Sequence, residues 1–396
     1  MNFELRILNT QNTPVHIKLW HRDFWMLLVA NLLLTMSVYI LIPVLPQWLM
    51  QTEGLSPMET GLSIGAFALG LYLLGWHCSW LVQRYRRNVV YMWAVVAQAL
   101  SMALLWYIDE KQLEYADLGL ILLQRLLLGA SFGLAQMVLS STLIIDTCES
   151  YQRTEANHSA AWFSRFALSL GPLVGLVIYD LYDFGSVFLV SIAMAIISML
   201  LIKLVSFPFR APEDNVHKAS LDRFILPEGM VLFSNLLLVA ILFGLLMSLP
   251  VSILFYALVM VGFFLALLAQ RFVFRNAELK SEVISGLILL GAAQLVLIVH
   301  FDSPVAPVLA GLGLGICSSR FLLFFIKLSR HCKRGTSQST YFLGWETGLA
   351  LGMGIGFWLF FKKIDTLLYT TMVLTIASLL MYHLYTHSWF LRNKNR

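Results

Sequence analysis

Charge is scarce in this chain. Only 12% of its 396 residues are Asp, Glu, Lys or Arg, about half the ~25% of an ordinary globular domain. With 59% hydrophobic residues and a mean hydropathy of +0.77, that scarcity excludes a soluble protein with a large core. Cysteine is rare and has no paired spacing: Cys78, Cys148, Cys317 and Cys332. Two fall in apolar runs and two in links, so no disulfides are expected. About twenty mixed residues precede the first apolar run and no small-residue cleavage site follows it, so no cleavable signal is expected. The alternating ten-residue pattern of a membrane barrel is missing, and so is a phosphate loop. His77-Cys78 and His331-Cys332 are too sparse for a metal site. Gly61-Leu62-Ser63-Ile64-Gly65 has the spacing of a nucleophile elbow but lies inside an apolar run, not at a strand-to-helix turn. Gly311-x-Gly313-x-Gly315 lacks the preceding strand of a nucleotide site. Neither an enzyme nor a resident cofactor is expected.

What is present is a series of apolar runs, each near the ~20 residues needed to cross ~30 Å of hydrocarbon as helix. Six are expected at about 24–49, 60–82, 89–108, 118–145, 156–179 and 185–205. Six more are expected at about 229–248, 251–272, 283–301, 304–328, 339–361 and 366–385. This is an all-α polytopic membrane protein with twelve crossings. Its parts are an N-terminal arm (1–22), a six-helix bundle (23–205), a polar link (206–228) with Pro208, Pro212 and Pro227, a second six-helix bundle (229–388) and a basic tail (389–396).

The basic residues set an expected orientation. Of 27 Lys and Arg, all but six flank the helix ends on the side of the N-terminus, from Arg6 through Arg210 and Arg275 to Arg396. Lys111, Lys362 and Lys363 lie on the other side, which also carries an acidic loop that includes Glu114. Both termini are therefore expected in the cytoplasm, in a bacterial-type cytoplasmic (inner) membrane. The spread of the positive charge over many short segments excludes nucleic acid as partner and leaves the bilayer. A monomer is expected.

The remaining three, Arg125, Arg165 and Arg320, lie inside helices. Each costs about 2.5–3.5 kcal/mol at the bilayer centre even on the lenient insertion scale, so function is the default hypothesis. Glu346 is the one carboxylate expected well inside the membrane, and Arg320 is placed within its reach. A structural Arg320–Glu346 ion pair and a functional Arg320 stand level. Helices 5 and 11 align so that Gly171 meets Gly352, Gly175 meets Gly356, and Arg165 meets Glu346. Asn31, Tyr39, Gln136 and Asn235 are candidate ligand-orienting groups, as are Gln98 and Gln294. For any one of them an interhelical hydrogen bond is the commoner use.

Several motifs resemble the major facilitator superfamily of secondary transporters over essentially the whole chain. Leu81-Val82-Gln83-Arg84-Tyr85-Arg86-Arg87-Asn88 resembles its loop signature, with Gln83 replacing an acid and Arg86 a glycine. Arg125-x3-Gly129 resembles the helix 4 motif, Asp146-x6-Arg153 the acid–arginine pair, and Gly171-Pro172-x2-Gly175 the core of the antiporter motif. Asp23-Phe24-Trp25, Asn31 and Pro43-x2-Pro46 resemble exporter-like members.

The resemblance implies two six-helix bundles working by alternating access. It also implies a mid-membrane substrate site, with helices 1, 4, 7 and 10 lining it. Gating roles fall to Arg84, Arg87, Asp146, Arg153, Gly171 and Pro172. Asp146 is expected to take over the contact to the basic turn that Gln83 has lost. The arginines suit a carboxylate or phosphate. Glu346 is the candidate proton-coupling site, where burial and a nearby arginine act in opposite directions. Proton-driven export of an anionic or amphiphilic small molecule leads. Organic-anion uptake or exchange, or movement of a lipid-like anion, is the alternative. A transporter-like receptor or scaffold is the reading from another class.

Overall fold

The computed structural model describes residues 18–111, 117–149, 151–207, 216–274, 277–330 and 333–395. Arg6, Glu114, Pro208, Arg210, Pro212, Arg275, His331, Cys332 and Arg396 lie outside the described residues, as does most of the N-terminal arm.

Among the described residues every regular element is helical. The first bundle holds α1 (Arg22–Gln51), α2 (Pro57–Arg84), α3 (Arg87–Lys111), α4 (Leu118–Asp146), α5 (Arg153–Leu181) and α6 (Phe184–Leu204). The second holds α7 (Met230–Met247), α8 (Ile253–Phe272), α9 (Leu279–Val299), α10 (Val305–Leu328), α11 (Arg334–Phe360) and α12 (Ile364–Asn393). Ten are long and apolar enough to cross a membrane singly, and the bent α2 makes an eleventh. The twelfth, α11, has the length but carries Glu346 and a run of hydroxyl residues.

The breaks in these helices have local causes. α1 stops being helical at Ile40 between two segments, Arg22–Tyr39 and Leu41–Gln51. Pro43 has no N–H for the carbonyl four residues back, that of Tyr39. The expected unbroken helix is therefore jointed at Tyr39. α2 starts on a reciprocal Ser56–Glu59 capping box with Pro57 behind it and bends by 42° near Leu74. α4 contains a π turn over Leu139–Leu143, where Ser140 and Thr142 hydroxyls donate to the Gln136 and Val138 carbonyls. α12 also passes through a π turn and runs to Asn393, so much of the expected basic tail is helix.

The two bundles repeat one packing scheme. In the first, α1 packs on α5 and α6, α2 on α4, and α3 on α4 and α6. In the second, α7 packs on α11 and α12, α8 on α10, and α9 on α10 and α12. The repeat extends to glycine seams. A Cβ on Gly129 would stand 2.3 Å from the Phe67 carbonyl in α2, and one on Gly311 would stand 2.2 Å from the Val259 carbonyl in α8. Close approach of backbones of this kind is what small residues permit in membrane helices. The bundles meet along α2–α11 and α5–α8.

The end carrying Arg84, Arg86, Arg87 and Arg153 is called the basic end below. There, residues 216–226 of the link strap the bundles together. Ser220 N–H donates to the Trp76 carbonyl of α2 and Leu226 N–H to Thr340 Oγ1 of α11. Phe224 is fully buried against Trp76 and Tyr72, over Gly75, where any Cβ would overlap its ring. Phe224→Ala should cost about 3–5 kcal/mol, the usual range for emptying a buried aromatic site. A drop in the melting temperature of the purified protein reads this out; an unchanged value would mean the strap carries no packing energy.

Candidate functional site

The Tyr39 joint of α1 faces the second bundle. The Tyr39 hydroxyl donates to Glu346 Oε1 at 2.6 Å, both side chains buried. The joint is held from behind by α5: a Cβ on Gly171 would stand 2.8 Å from Tyr39 Cβ, and one on Gly175 2.3 Å from the Ile40 carbonyl. The aligned residues of α11 do the same to α7. Gly352 lies against the Ile241 carbonyl and Gly356 against Ser248. Pro172 sits inside α5 beside this seam. The alignment of helices 5 and 11 is thus a packing equivalence as well as a textual one.

Glu346 borders two small cavities between the bundles, each of about 40 Å³. At roughly 10–15 Å³ per water, each has room for a few waters and no more. The first is lined by Tyr39, Phe67, Arg125 and Glu346 among apolar residues. The second is lined by Asn31, Gln136, Ser164, Arg165, Tyr341 and Glu346, among others. Glu346 is the residue the two linings share.

Both arginines are buried. Arg125 lies over the Phe67 ring at 5.3 Å, a contact worth up to about 2 kcal/mol when desolvated. Its Nε and Nη1 have no protein partner. Arg165 lies over the Trp162 ring at 4.8 Å and donates from Nη2 to the Tyr341 hydroxyl at 3.3 Å. Its Nε and Nη1 are also without partner, as is Glu346 Oε2. Two guanidinium groups and a carboxylate thus share one buried region without forming an ion pair.

Neutral groups position this region. Gln136 Nε2 donates to Asn31 Oδ1, and Asn31 Nδ2 donates to the Ala160 carbonyl and Ser164 Oγ. This ties α4 and α5 to α1. Asn235 is elsewhere: its Nδ2 donates to the Ser378 carbonyl of α12, inside the second bundle. Gln98 and Gln294 also join helix pairs, to Ser37 and Thr375.

Two expectations are corrected. Arg320 does not pair with Glu346. Its Nε donates to Glu282 Oε2 at 2.5 Å. α9 begins at Leu279, earlier than its hydropathy implied, which carries Glu282 into the helix and buries it. Glu346 is therefore not the only buried carboxylate of the helices, and Arg320 is already neutralised. The second correction concerns the lining. α1, α2, α4, α5 and α11 line the two cavities, and α7 and α10 do not. The reason is the glycine face of α11: Gly348 and Gly352 seat it on α7, and Glu346, turned away from that face by the helix repeat, meets the first bundle. Tyr341, Phe67 and Ser164 carried no signal in the sequence beyond lying near a singled-out residue.

The bundles touch at both ends of the site. At the basic end, Gly335 of α11 lies against Ser141 in the π turn of α4, and at the other end Gly61 of α2 meets Gly354 of α11. Arg87 pairs with Asp146 in a short contact, so the basic turn does reach the acid that ends α4. Arg84 lies on the last turn of α2, and Arg153 opens α5 with its Nε buried and unpartnered. Cys148 follows Asp146, and burial pushes its thiol up to about 11. Little thiolate then exists at neutral pH, and the thiolate is the reactive form. Asp146→Asn removes the negative charge that pairs with Arg87 and should speed maleimide labelling of Cys148 at least about tenfold. Unchanged labelling would show that the pair does not hold this end closed.

A two-bundle, twelve-helix fold with buried charges at the bundle interface defines a membrane transporter rather than an enzyme. The chain belongs to the Major Facilitator Superfamily, whose sequence model matches residues 27–353. No curated protein matches it significantly. Among solved structures it is similar to a bacterial homologue of the iron transporter ferroportin in an outward-facing state (TM-score 0.64, 16% identity, covering 93% of this chain and 99% of that one). It is similar to the human organic anion transporter MFSD10, also called TETRAN (TM-score 0.63, 16% identity, 91% and 99%). It is also similar to an auto-inhibited POT family peptide transporter (TM-score 0.67, 12% identity, 95% and 98%). At these identities the likeness is one of fold.

Proposed function

We propose that the protein carries an organic anion across the cytoplasmic membrane by alternating access, coupled to protons through Glu346, with the basic end in the cytoplasm. One observation carries this reading: Arg125 and Arg165 are buried at the bundle interface with N–H groups that no protein atom accepts. Guanidinium binds carboxylate or phosphate through paired hydrogen bonds, so an anion supplies what both side chains lack. That a structural neighbour is an organic anion transporter is in keeping with this.

Glu346 supplies the coupling. A carboxylate bordering both cavities opposes an incoming anion, and a protonated Glu346 does not. Protonation and anion binding therefore favour each other, and the favour is reciprocal. For an anionic substrate this linkage supports movement of proton and anion together, which is uptake under an inward proton gradient. Export against protons, the leading expectation from the motifs, fits an amphiphile that competes with the proton.

Proteoliposome flux with a panel of carboxylates and organic phosphates tests the reading. Arg125→Ala and Arg165→Ala should each weaken apparent affinity roughly 30-fold or more, the equivalent of the ~2 kcal/mol lower bound for truncating a buried charged contact. Unchanged anion affinity in both correctly folded variants would sink it. The direction of the imposed pH gradient that accelerates uptake decides between the two couplings.

A further inference from the structure

A third cavity, of about 480 Å³, lies between α1, α7, α8, α11 and α12 at the end opposite the basic residues. Small-ligand pockets run from about 300 to 1,000 Å³, so this one has the size of a binding site, unlike the two central cavities. Its walls are largely apolar, among them Met50, Met247, Phe357 and Phe360. Lys362 is the only charged residue that lines it, and no carboxylate does, among the described residues.

Two further features lie at the same place. Lys362 has a φ of 60°, in the left-handed region where glycine sits without strain and a lysine does not. Tyr256, which also lines the cavity, is buried and its hydroxyl has no partner. A buried hydroxyl without an acceptor is unfavourable. An apolar chamber with one cation and one unused donor matches a ligand that is apolar along most of its length and anionic at one end. Ile42 lines both this chamber and the Arg125 cavity, so the two are neighbours.

We propose that this chamber is a second binding site, for a single-chain amphiphilic anion whose tail lies against the Met and Phe walls and whose head meets Lys362 and Tyr256. The site is separate from Arg125 and Arg165 and goes beyond the reading built on them.

The test uses the full-length protein in phosphatidylcholine vesicles, with Gln47→Cys at the chamber lining as a maleimide-labelling position. The unsubstituted protein sets the background. Decanoate should slow labelling several-fold, and decanol, which enters the bilayer as readily, should not. Lys362→Gln and the conservative Tyr256→Phe should each weaken the protection, and Arg125→Ala should leave it in place. Equal protection by decanol would overturn the proposal, as would full protection in both the Lys362 and Tyr256 variants. Loss of protection in Arg125→Ala would return the binding to the central site. Protection already present in phosphatidylglycerol vesicles without decanoate would overturn the single-chain occupant. Since Arg125→Ala flux is read separately, failure of the chamber and failure of the central anion site give different results.

Discussion

Glu346→Gln should leave substrate exchange down its own gradient close to native and remove the response to an imposed pH gradient. Glutamine keeps the volume of the side chain and an oxygen to accept from Tyr39, so the link at 2.6 Å across the bundles has an equivalent. What it loses is the proton. One pH unit is worth about 1.36 kcal/mol. A transporter that moves one proton per substrate can therefore accumulate its substrate about tenfold per unit of gradient, and the variant should show none. Counterflow with labelled substrate, with and without a one-unit gradient, measures both quantities. Persistent accumulation in the variant would place the coupling proton on another group. Loss of exchange as well, in a folded protein, would make Glu346 part of the substrate site rather than the coupling site.

Gly61→Ala should shift the protein away from the closed arrangement. A Cβ on Gly61 would stand 2.4 Å from the Gly354 carbonyl oxygen, with the Trp358 backbone nitrogen at 2.9 Å. These are backbone atoms of a packed helix, so the new methyl cannot be relieved by a rotamer. Overpacking of this kind costs about 1–3 kcal/mol, or roughly 5–150-fold in an equilibrium between two states. The contact joins α2 to α11 across the bundles, so the cost falls on closure at that end and not on the folding of either bundle. Accessibility of a cysteine at Gln47 should rise and turnover should fall, at an unchanged melting temperature. A lowered melting temperature with unchanged accessibility would mean that the seam stabilises the fold and has no part in gating.

The helices and their number were legible because the rule behind them is coarse. A backbone in hydrocarbon must satisfy its hydrogen bonds internally, and runs of about twenty apolar residues state where it does so. Arg125 and Arg165 were legible for a related reason: a charge in such a run is costly enough to need an explanation. The glycine correspondence between α5 and α11 was also readable, since both helices are seated through the same small faces, on Ile40 in one bundle and Ile241 in the other. Helix ends were less so. Glu282 lay just outside its expected helix, and that shift alone concealed the partner of Arg320.

Composition and charge by themselves determined a polytopic helical protein, its division into six and six, and the three arginines that lie within its crossings. Only the tertiary structure decided what those arginines meet. Helix rotation and depth place Glu282 against Arg320, Tyr341 against Arg165 and Tyr39 against Glu346, pairs 38, 176 and 307 residues apart. A turn of α-helix is 5.4 Å, longer than a hydrogen bond. Whether two buried groups touch therefore depends on packing that no reading of one helix at a time contains.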